Sequence, residues 1–189
     1  MIYHPRPKKS NNPKKKLGLV HVYTGEGKGK TTAALGTMMR AAGHGYTSLM
    51  IRFLRGYRDT GEMKVMQQFK GLMEILAFAQ EEPIDLANPM PFDKHLAIQG
   101  LNYARQIMQR KRPDILVLDE VNPAMHYGLL EVKDILDFLD NKHQETEIIL
   151  TGRYAPAEIL NYADLVTVMQ PIKHYYDYDN FEPRWGIEH

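Results

Sequence analysis

The chain has 189 residues, of which 43% are hydrophobic and 25% charged, as expected for a soluble globular protein of about one domain. Its net charge of +1 is unevenly distributed: residues 1–16 carry six basic and no acidic side chains, so the rest has 18 basic and 23 acidic residues, or −5. No stretch approaches the roughly 20 apolar residues of a membrane helix, and no apolar segment of a secretory signal follows the N-terminus. The lack of cysteine excludes disulfides, cysteine nucleophiles and cysteine-bound metals.

The basic segment and the acidic remainder are predicted to form separate parts of the chain. Residues 1–16 are rich in lysine and proline, which is typical of a flexible, solvated arm. Residues 17–189 are predicted to form a single domain. Their acidic balance argues against a large nucleic-acid surface, and the absence of cysteine fits a cytoplasmic protein.

The first half of the domain alternates strand-length apolar runs with helical spacing. A strand is predicted at 17–23, followed by three glycines and a helix at 31–42. A second strand at 47–54 is followed by a helix at 62–70 and a third strand at 72–78. Three prolines then predict a loop over residues 80–92.

The second half continues the same alternation. A long helix is predicted at 93–111, an apolar strand at 114–119 and a helix at 132–139. A short strand at 148–150, a helix opening at Pro156 and a last strand at 165–169 complete the order. Strands that alternate with helices predict an α/β fold, a mainly parallel sheet covered by helices on both faces.

A glycine-rich loop with two lysines lies between the first strand and the first helix. Glycines there allow backbone N–H groups to converge on phosphate oxygens at a helix N-terminus. Lys30 would reach the terminal phosphates of a nucleotide, and the Thr31 hydroxyl would bind Mg²⁺. The alternative is an ordinary glycine-rich turn. The loop comprises Thr24, Gly25, Glu26, Gly27, Lys28, Gly29, Lys30, Thr31 and Thr32, with threonine where the usual phosphate-loop pattern begins with glycine.

Two acids end the apolar strand ILVLDE about ninety residues after the loop. A carboxylate at the carboxyl end of a neighbouring parallel strand can face the phosphate loop and hold Mg²⁺. We predict that Glu120 lies nearer the metal and that Asp119 stands behind it. The alternative for either acid is a side chain that only caps a turn.

Five segments in chain order resemble the corrinoid (cobalamin) adenosyltransferases of the CobA/CobO/BtuR type. The resemblance runs from about residue 17 to the C-terminus and covers TGEGKGKTTAALG, VLDEVNPAMHYGLL, LTGRYAPAEIL, ADLVTVMQPIKHYYD and GIEH. It implies a P-loop NTPase (RecA-like) three-layer sandwich. It also implies ATP as co-substrate, Mg²⁺ as cofactor, a corrinoid as substrate and a homodimer.

The same resemblance implies an activity. Enzymes of this type transfer the 5′-deoxyadenosyl group of ATP to reduced cobalt(I) of a corrinoid and release triphosphate, with ATP bound in reversed orientation. The loop glycines, both lysines and both threonines would hold the phosphates, Thr31 and Glu120 would hold Mg²⁺, and Arg153 would lie near the nucleotide. The loop and the acids alone are equally compatible with a P-loop ATPase or phosphotransferase, or with a non-catalytic relative that binds the nucleotide or the corrinoid.

Three segments depart from the family pattern. Arg55 stands where the family usually has lysine, and the aromatic glycine-phenylalanine-threonine-tryptophan segment associated with the corrinoid is replaced by residues 77–80, AFAQ. The usual lysine-rich stretch before the closing GIE is also different. Near the C-terminus, aromatic residues predict either a tail anchored by burial or a flat surface for a ring: Tyr175, Tyr176, Tyr178, Phe181 and Trp185. His21, within the first strand, is predicted to be a core histidine with a partner.

Overall fold

The structure is a computed structural model that describes residues 17–56, 59–69, 71–110, 112–175 and 183–188. The basic arm predicted at residues 1–16 lies outside this range, as do Tyr176, Tyr178 and Phe181. No helix in the described ranges is long and apolar enough to cross a membrane.

Six parallel strands form one sheet in the order β3-β2-β4-β5-β1-β6. All residues of β2, β4 and β5 are buried, as expected for central strands covered on both faces. The strands are β1 Val20–Thr24, β2 Ser48–Arg52, β3 Met73–Ala77, β4 Ile115–Asp119, β5 Glu147–Thr151 and β6 Leu165–Val168.

Helices cover both faces of the sheet and complete a three-layer sandwich. On one face, α1 packs Ala34 and Met38 against Met50 of β2 and Val117 of β4. On the other face α3, α4, α5 and α6 share a larger core with the opposite side chains of the same strands. The helices are α1 Lys30–Ala42, α2 Gly61–Met66 with a 3₁₀ turn at Gln67–Phe69, α3 Pro91–Arg110, α4 Val121–His126, α5 Val132–Asp140 and α6 Ala157–Tyr162.

The α/β fold with its parallel sheet confirms the prediction, and several element boundaries differ from it. The first strand begins at Val20 rather than at residue 17, and the second helix ends at Met66 because the next three residues tighten into a 3₁₀ turn. The third helix starts at Pro91, inside the predicted loop, because proline is well accommodated in the first turn of a helix. Helix α4 was not predicted, since it has six residues and contains Pro123.

His21 has the partner predicted for it, but it is only partly buried rather than a core residue. Its Nε2 lies 2.7 Å from Oε1 of Glu147, at the start of the neighbouring strand β5. The other carboxylate oxygen accepts the backbone N–H groups of Gly18 and Leu19. The first strand is thereby fixed to β5 by side chains as well as by the sheet.

Candidate functional site

The glycine-rich loop leaves β1 and ends at the N-terminus of α1, the arrangement predicted from the sequence. Gly25 and Gly29 have φ of +97° and +113°, in the region that favours glycine. A Cβ on Gly25 would lie 2.4 Å from the carbonyl oxygen of Met169, and that oxygen accepts the N–H of Gly27 at 2.7 Å. The chain just after β6 therefore supports one side of the loop and leaves no room for larger residues there.

Lys30 is the first residue of α1 and is almost fully buried. Its ammonium donates to the carbonyl oxygens of Gly25 at 2.8 Å and Gly27 at 2.7 Å. Burial lowers its pKa, partly opposed by the nearby carboxylate of Glu120. The loop thus curves around a cation that lies at a helix N-terminus, two features that favour a bound anion.

The carboxylate of Asp119 connects three elements at the end of β4. Its Oδ1 accepts the hydroxyl of Thr31 at 2.8 Å and that of Thr151 at 2.7 Å. Its Oδ2 lies 3.5 Å from Nε of Arg52. Asp119 is buried and its oxygens are occupied by protein groups, so it orients Thr31 rather than pointing an open oxygen at the loop.

Glu120 follows in a left-handed conformation, with φ of +59° and ψ of +26°. Its N–H donates to the Thr151 hydroxyl at 3.0 Å. Burial and the adjacent Asp119 carboxylate raise the pKa of Glu120, while the charges of Arg55, Lys30 and Arg153 act in the opposite direction. The left-handed residue Glu120 directly precedes α4, and its carboxylate lies within the electrostatic influence of Lys30, Arg55 and Arg153.

Oxygen-bearing side chains of the kinds that Mg²⁺ binds lie beside the loop. Mg²⁺ binds oxygen, and in phosphate sites it is usually held by one or two protein groups together with the phosphates and water. Thr31 supplies a hydroxyl and Glu120 a carboxylate, and Asp119 fixes the hydroxyl from behind. Within the described ranges no group of three or more His, Cys, Asp or Glu side chains is arranged to hold a metal. The donor set therefore suits a metal bound jointly with phosphates.

Two of the predicted site cations contact acids at the rim of the loop. Nζ of Lys28 lies 2.5 Å from Oε1 of Glu188, in the closing GIEH segment, and 3.1 Å from the Tyr175 hydroxyl. Arg153 contacts Glu26 twice, with Nη1 2.9 Å from Oε2 and Nη2 donating to the backbone oxygen at 3.2 Å. Both cations are partly exposed, in contrast to Lys30.

The remaining loop residues frame the site. Thr24 is buried, and its hydroxyl accepts the N–H of Ala155 at 3.4 Å. Thr32 is exposed in the first turn of α1. The structure therefore brings Lys30, Thr31 and the two acids into one cluster, with Lys28 and Arg153 at its edge.

Sequence reasoning missed two buried partners of Asp119. Arg52 is the only charged residue in the apolar run TSLMIRFL, which is a signal that it has a buried partner. Its guanidinium also forms a close ion pair with Glu62 of α2. Thr151 belongs to the TGR segment, but no local pattern indicated that its hydroxyl would meet a carboxylate 32 residues away.

Comparison with known proteins gives one family. The model of the family described as ATP:corrinoid adenosyltransferase BtuR/CobO/CobP matches residues 16–189. A corrinoid adenosyltransferase of Sinorhizobium sp. is 33% identical over 166 residues, covering 83% of this chain and 74% of that protein. The corrinoid adenosyltransferase of Escherichia coli K12 is 31% identical over 160 residues, covering 85% of this chain and 80% of that protein.

Two further similarities bear on length and fold. An uncharacterised protein of Nostoc sp. is 36% identical over 169 residues, which are 83% of this chain, and the chain spans 45% of that protein's length. The flagellar accessory protein FlaH of Methanocaldococcus jannaschii superposes with a TM-score of 0.53 at 12% identity, covering 80% of this chain and 71% of FlaH. This last likeness concerns the fold alone.

Proposed function

The chain belongs to the ATP:corrinoid adenosyltransferase family, and from this membership we propose that it transfers the 5′-deoxyadenosyl group of ATP to cobalt(I) of a corrinoid and releases triphosphate. The observation that carries the proposal is the family match over residues 16–189, which includes the whole cluster around Lys30 and Asp119. Membership of this family also supports the expected use of ATP and of a corrinoid as substrates.

The proposed reaction is a substitution at C5′ of ATP. The electron pair of cobalt(I) forms the cobalt–carbon bond, the bond between C5′ and the α-phosphate oxygen breaks, and its electron pair leaves with triphosphate. Cobalt is formally oxidised from +1 to +3. The nucleophile is part of the corrinoid substrate, so the protein's work is to position the reactants and stabilise the leaving charge.

The loop side chains are suited to the leaving group. Lys30 and the loop N–H groups would balance the charge that develops on triphosphate, with Lys28 and Thr32 at the rim. Thr31 and Glu120 would hold Mg²⁺, which supplies further neutralisation of phosphate charge when bound. Asp119 would orient the Thr31 hydroxyl. Arg153 pairs with Glu26 and lies close to the Thr24 contact, and it would bind the nucleotide at the rim of the loop.

The first experiment compares products. The full chain is incubated with ATP, Mg²⁺ and each of several chemically reduced corrinoids, and both the corrinoid and the released phosphate are identified. Light-sensitive adenosylated corrinoid together with inorganic triphosphate is the expected result. ADP with phosphate, or a phosphorylated acceptor, would instead indicate a P-loop ATPase or phosphotransferase. Tight ATP binding without any product would indicate a non-catalytic relative.

The corrinoid side of the site is the reason to test several corrinoids. In place of the family's aromatic segment, residues 77–80 lie against the loop after β2. A Cβ on Gly56 would be 2.2 Å from the backbone oxygen of Gln80. Because the aromatic segment that the family resemblance associates with the corrinoid is replaced here by AFAQ, we propose that the accepted corrinoid differs from that of relatives with the aromatic segment.

The organisation of the protein is proposed on the same grounds. We propose a cytoplasmic homodimer in which residues 17–189 form one domain and residues 1–16 a flexible arm, with no nucleic-acid partner. Sedimentation of the full chain tests the dimer. Proteolysis that removes only the arm tests the domain boundary.

A further inference from the structure

Three aromatic side chains form a cluster on the surface beside the phosphate loop. The rings of His126 and Tyr154 are 4.6 Å apart at an angle of 30°, so they form a tilted stack. Tyr127 meets both edge-on, at 83° to His126 and 86° to Tyr154. The two stacked rings are exposed, and Tyr127 supports them from the side.

Contacts on both sides of Tyr154 connect the cluster to the loop. It joins the end of α4 to the chain that leaves β5. The Gly152 N–H donates to the oxygen of Tyr23 at 3.1 Å, Arg153 contacts Glu26, and the Ala155 N–H donates to Thr24. Tyr154 therefore lies between contacts to the loop, on the side where Glu26 and Arg153 meet.

The backbone of Tyr154 is in an unfavourable conformation. Its φ is +58°, in the left-handed region, which is uncommon for residues other than glycine, asparagine and aspartate. The residue is nevertheless 42% exposed, so core packing does not account for an aromatic residue at this position. A strained, exposed aromatic residue beside a phosphate loop is the pattern expected where a ring is needed for binding.

We propose that the exposed stack of His126 and Tyr154 binds the adenine of the ATP whose phosphates occupy the loop; this rests on the proposed function, because it presupposes ATP as the substrate. Aromatic rings bind bases by continuing a stack, and the tyrosine provides the outer face of that stack. Arg153 directly precedes Tyr154 in the chain, and its ion pair with Glu26 connects the stack to the loop.

The size of the cluster favours a base over a corrin macrocycle. Ring centroids are separated by 4.6 to 6.1 Å, so the exposed surface is that of one or two rings. A purine has two fused rings and matches this extent. The corrin macrocycle is much wider and would overhang the stack on every side.

Equilibrium binding to the full chain, with ATP and with inorganic triphosphate in the presence of Mg²⁺, tests the proposal. Tyr154→Asn removes the ring but tolerates the left-handed backbone, so the fold should remain at least as stable. We expect its Kd for ATP to rise about ten-fold and its Kd for triphosphate to stay unchanged. Tyr154→Phe should bind both ligands as the original chain does.

Phe92→Asn is the matched control. Phe92 is also an exposed residue whose ring stacks on a histidine, at 22° and 6.5 Å from His95, but it lies in the first turn of α3, the helix that follows the edge strand β3. Its substitution should change neither Kd. The proposal is overturned if Tyr154→Asn binds ATP as tightly as the original chain, or if it loses ATP and triphosphate equally.

Binding separates this proposal from the proposed function. The original chain could bind ATP more tightly than triphosphate through Tyr154 and yet adenosylate no corrinoid. That result would contradict the proposed adenosyltransferase activity and support the binding of adenine to the stack. If the original chain is active and both Tyr154 variants bind ATP with equal affinity, the adenosyltransferase activity is supported and the binding of adenine to the stack is overturned.

Discussion

Arg52 is the residue that connects the candidate site to the rest of the domain. It is only 4% exposed and lies between the carboxylates of Asp119 and Glu62. Burial alone would raise the pKa of Glu62, but the hydrogen bond and charge of Arg52 outweigh it and lower that pKa. Removing one partner of a buried ion pair leaves an uncompensated charge, which costs more than the pair itself contributes.

Arg52→Met is therefore expected to lower the free energy of unfolding by about 3 kcal/mol. The pKa of Glu62 should rise at the same time, because the cation that lowers it is gone. Urea denaturation measures the first effect and an NMR titration of Glu62 the second. Arg40→Met, at an exposed position near the end of α1, is the matched control and should change stability by less than about 0.5 kcal/mol. An unchanged Glu62 pKa would contradict the ion-pair argument.

Lys30 is the residue on which the proposed chemistry depends most. Lys30→Ala removes the buried cation that the loop encloses, so the leaving triphosphate would lose its main protein charge partner. We expect the rate of adenosyl transfer to fall at least about 100-fold. The rate of triphosphate release is the measurement, with circular dichroism to verify the fold. Lys94→Ala, at an exposed site on α3, should keep full activity, and an equally active Lys30→Ala would refute the role of the loop.

At the scale of elements, one glutamate joins the start of the domain to the central sheet. Glu147 opens β5, accepts the N–H groups of Gly18 and Leu19 at 2.7 and 2.8 Å, and pairs with His21. Burial would raise its pKa, but these hydrogen bonds and the histidine lower it overall. A carboxyl group whose pKa is lower in the folded state stabilises the fold above its unfolded pKa and loses that effect as the pH falls through the folded value.

Glu147→Gln should thus reduce the free energy of unfolding by about 2 kcal/mol at pH 7, where the original chain has the ionised, hydrogen-bonded group. The difference between the two chains should shrink steadily below about pH 4.5, the range in which Glu147 becomes protonated. Denaturant unfolding across this pH range gives the comparison. Glu145→Gln, an exposed neighbour, controls for the loss of charge. A difference that grows towards acid pH would reverse the assigned sign.

The elements that sequence reasoning predicted are those with strong local patterns. The strand ILVLD and the glycine-rich loop are each defined by residues close together in the chain, so their patterns predicted both positions correctly. The first is β4, and the second leads into α1. Helix α4 escaped prediction because Pro123 interrupts its pattern and its first turn depends on the left-handed Glu120. The contacts of Arg52, Thr151 and Glu147 join distant segments, and no local periodicity encodes them.

At the scale of the whole molecule, the C-terminal segment contacts the glycine-rich loop. Glu188 lies 160 residues after Lys28, and its carboxylate contacts Lys28, the Tyr175 hydroxyl and the guanidinium of Arg184. These contacts strongly lower the pKa of Glu188, so the group is ionised at neutral pH. A negative charge therefore lies at the rim of the glycine-rich loop, where it forms an ion pair with the ammonium of Lys28.

Replacing Glu188 by glutamine should strengthen phosphate binding. The substitution removes a charge that repels an incoming polyphosphate and releases Lys28 to contact it. Because the site is partly exposed, the gain should be modest, and the Kd for inorganic triphosphate should fall about two- to five-fold. The gain should decrease in high salt, which screens exposed charges, and should vanish when Lys28→Ala is added. Glu158→Gln, an exposed acid in the first turn of α6, makes the same change in net charge and should have no such effect. Weaker triphosphate binding in Glu188→Gln would mean instead that the closing segment holds Lys28 in its binding position, so the direction of the change decides whether the end of the chain competes with the substrate or helps to bind it.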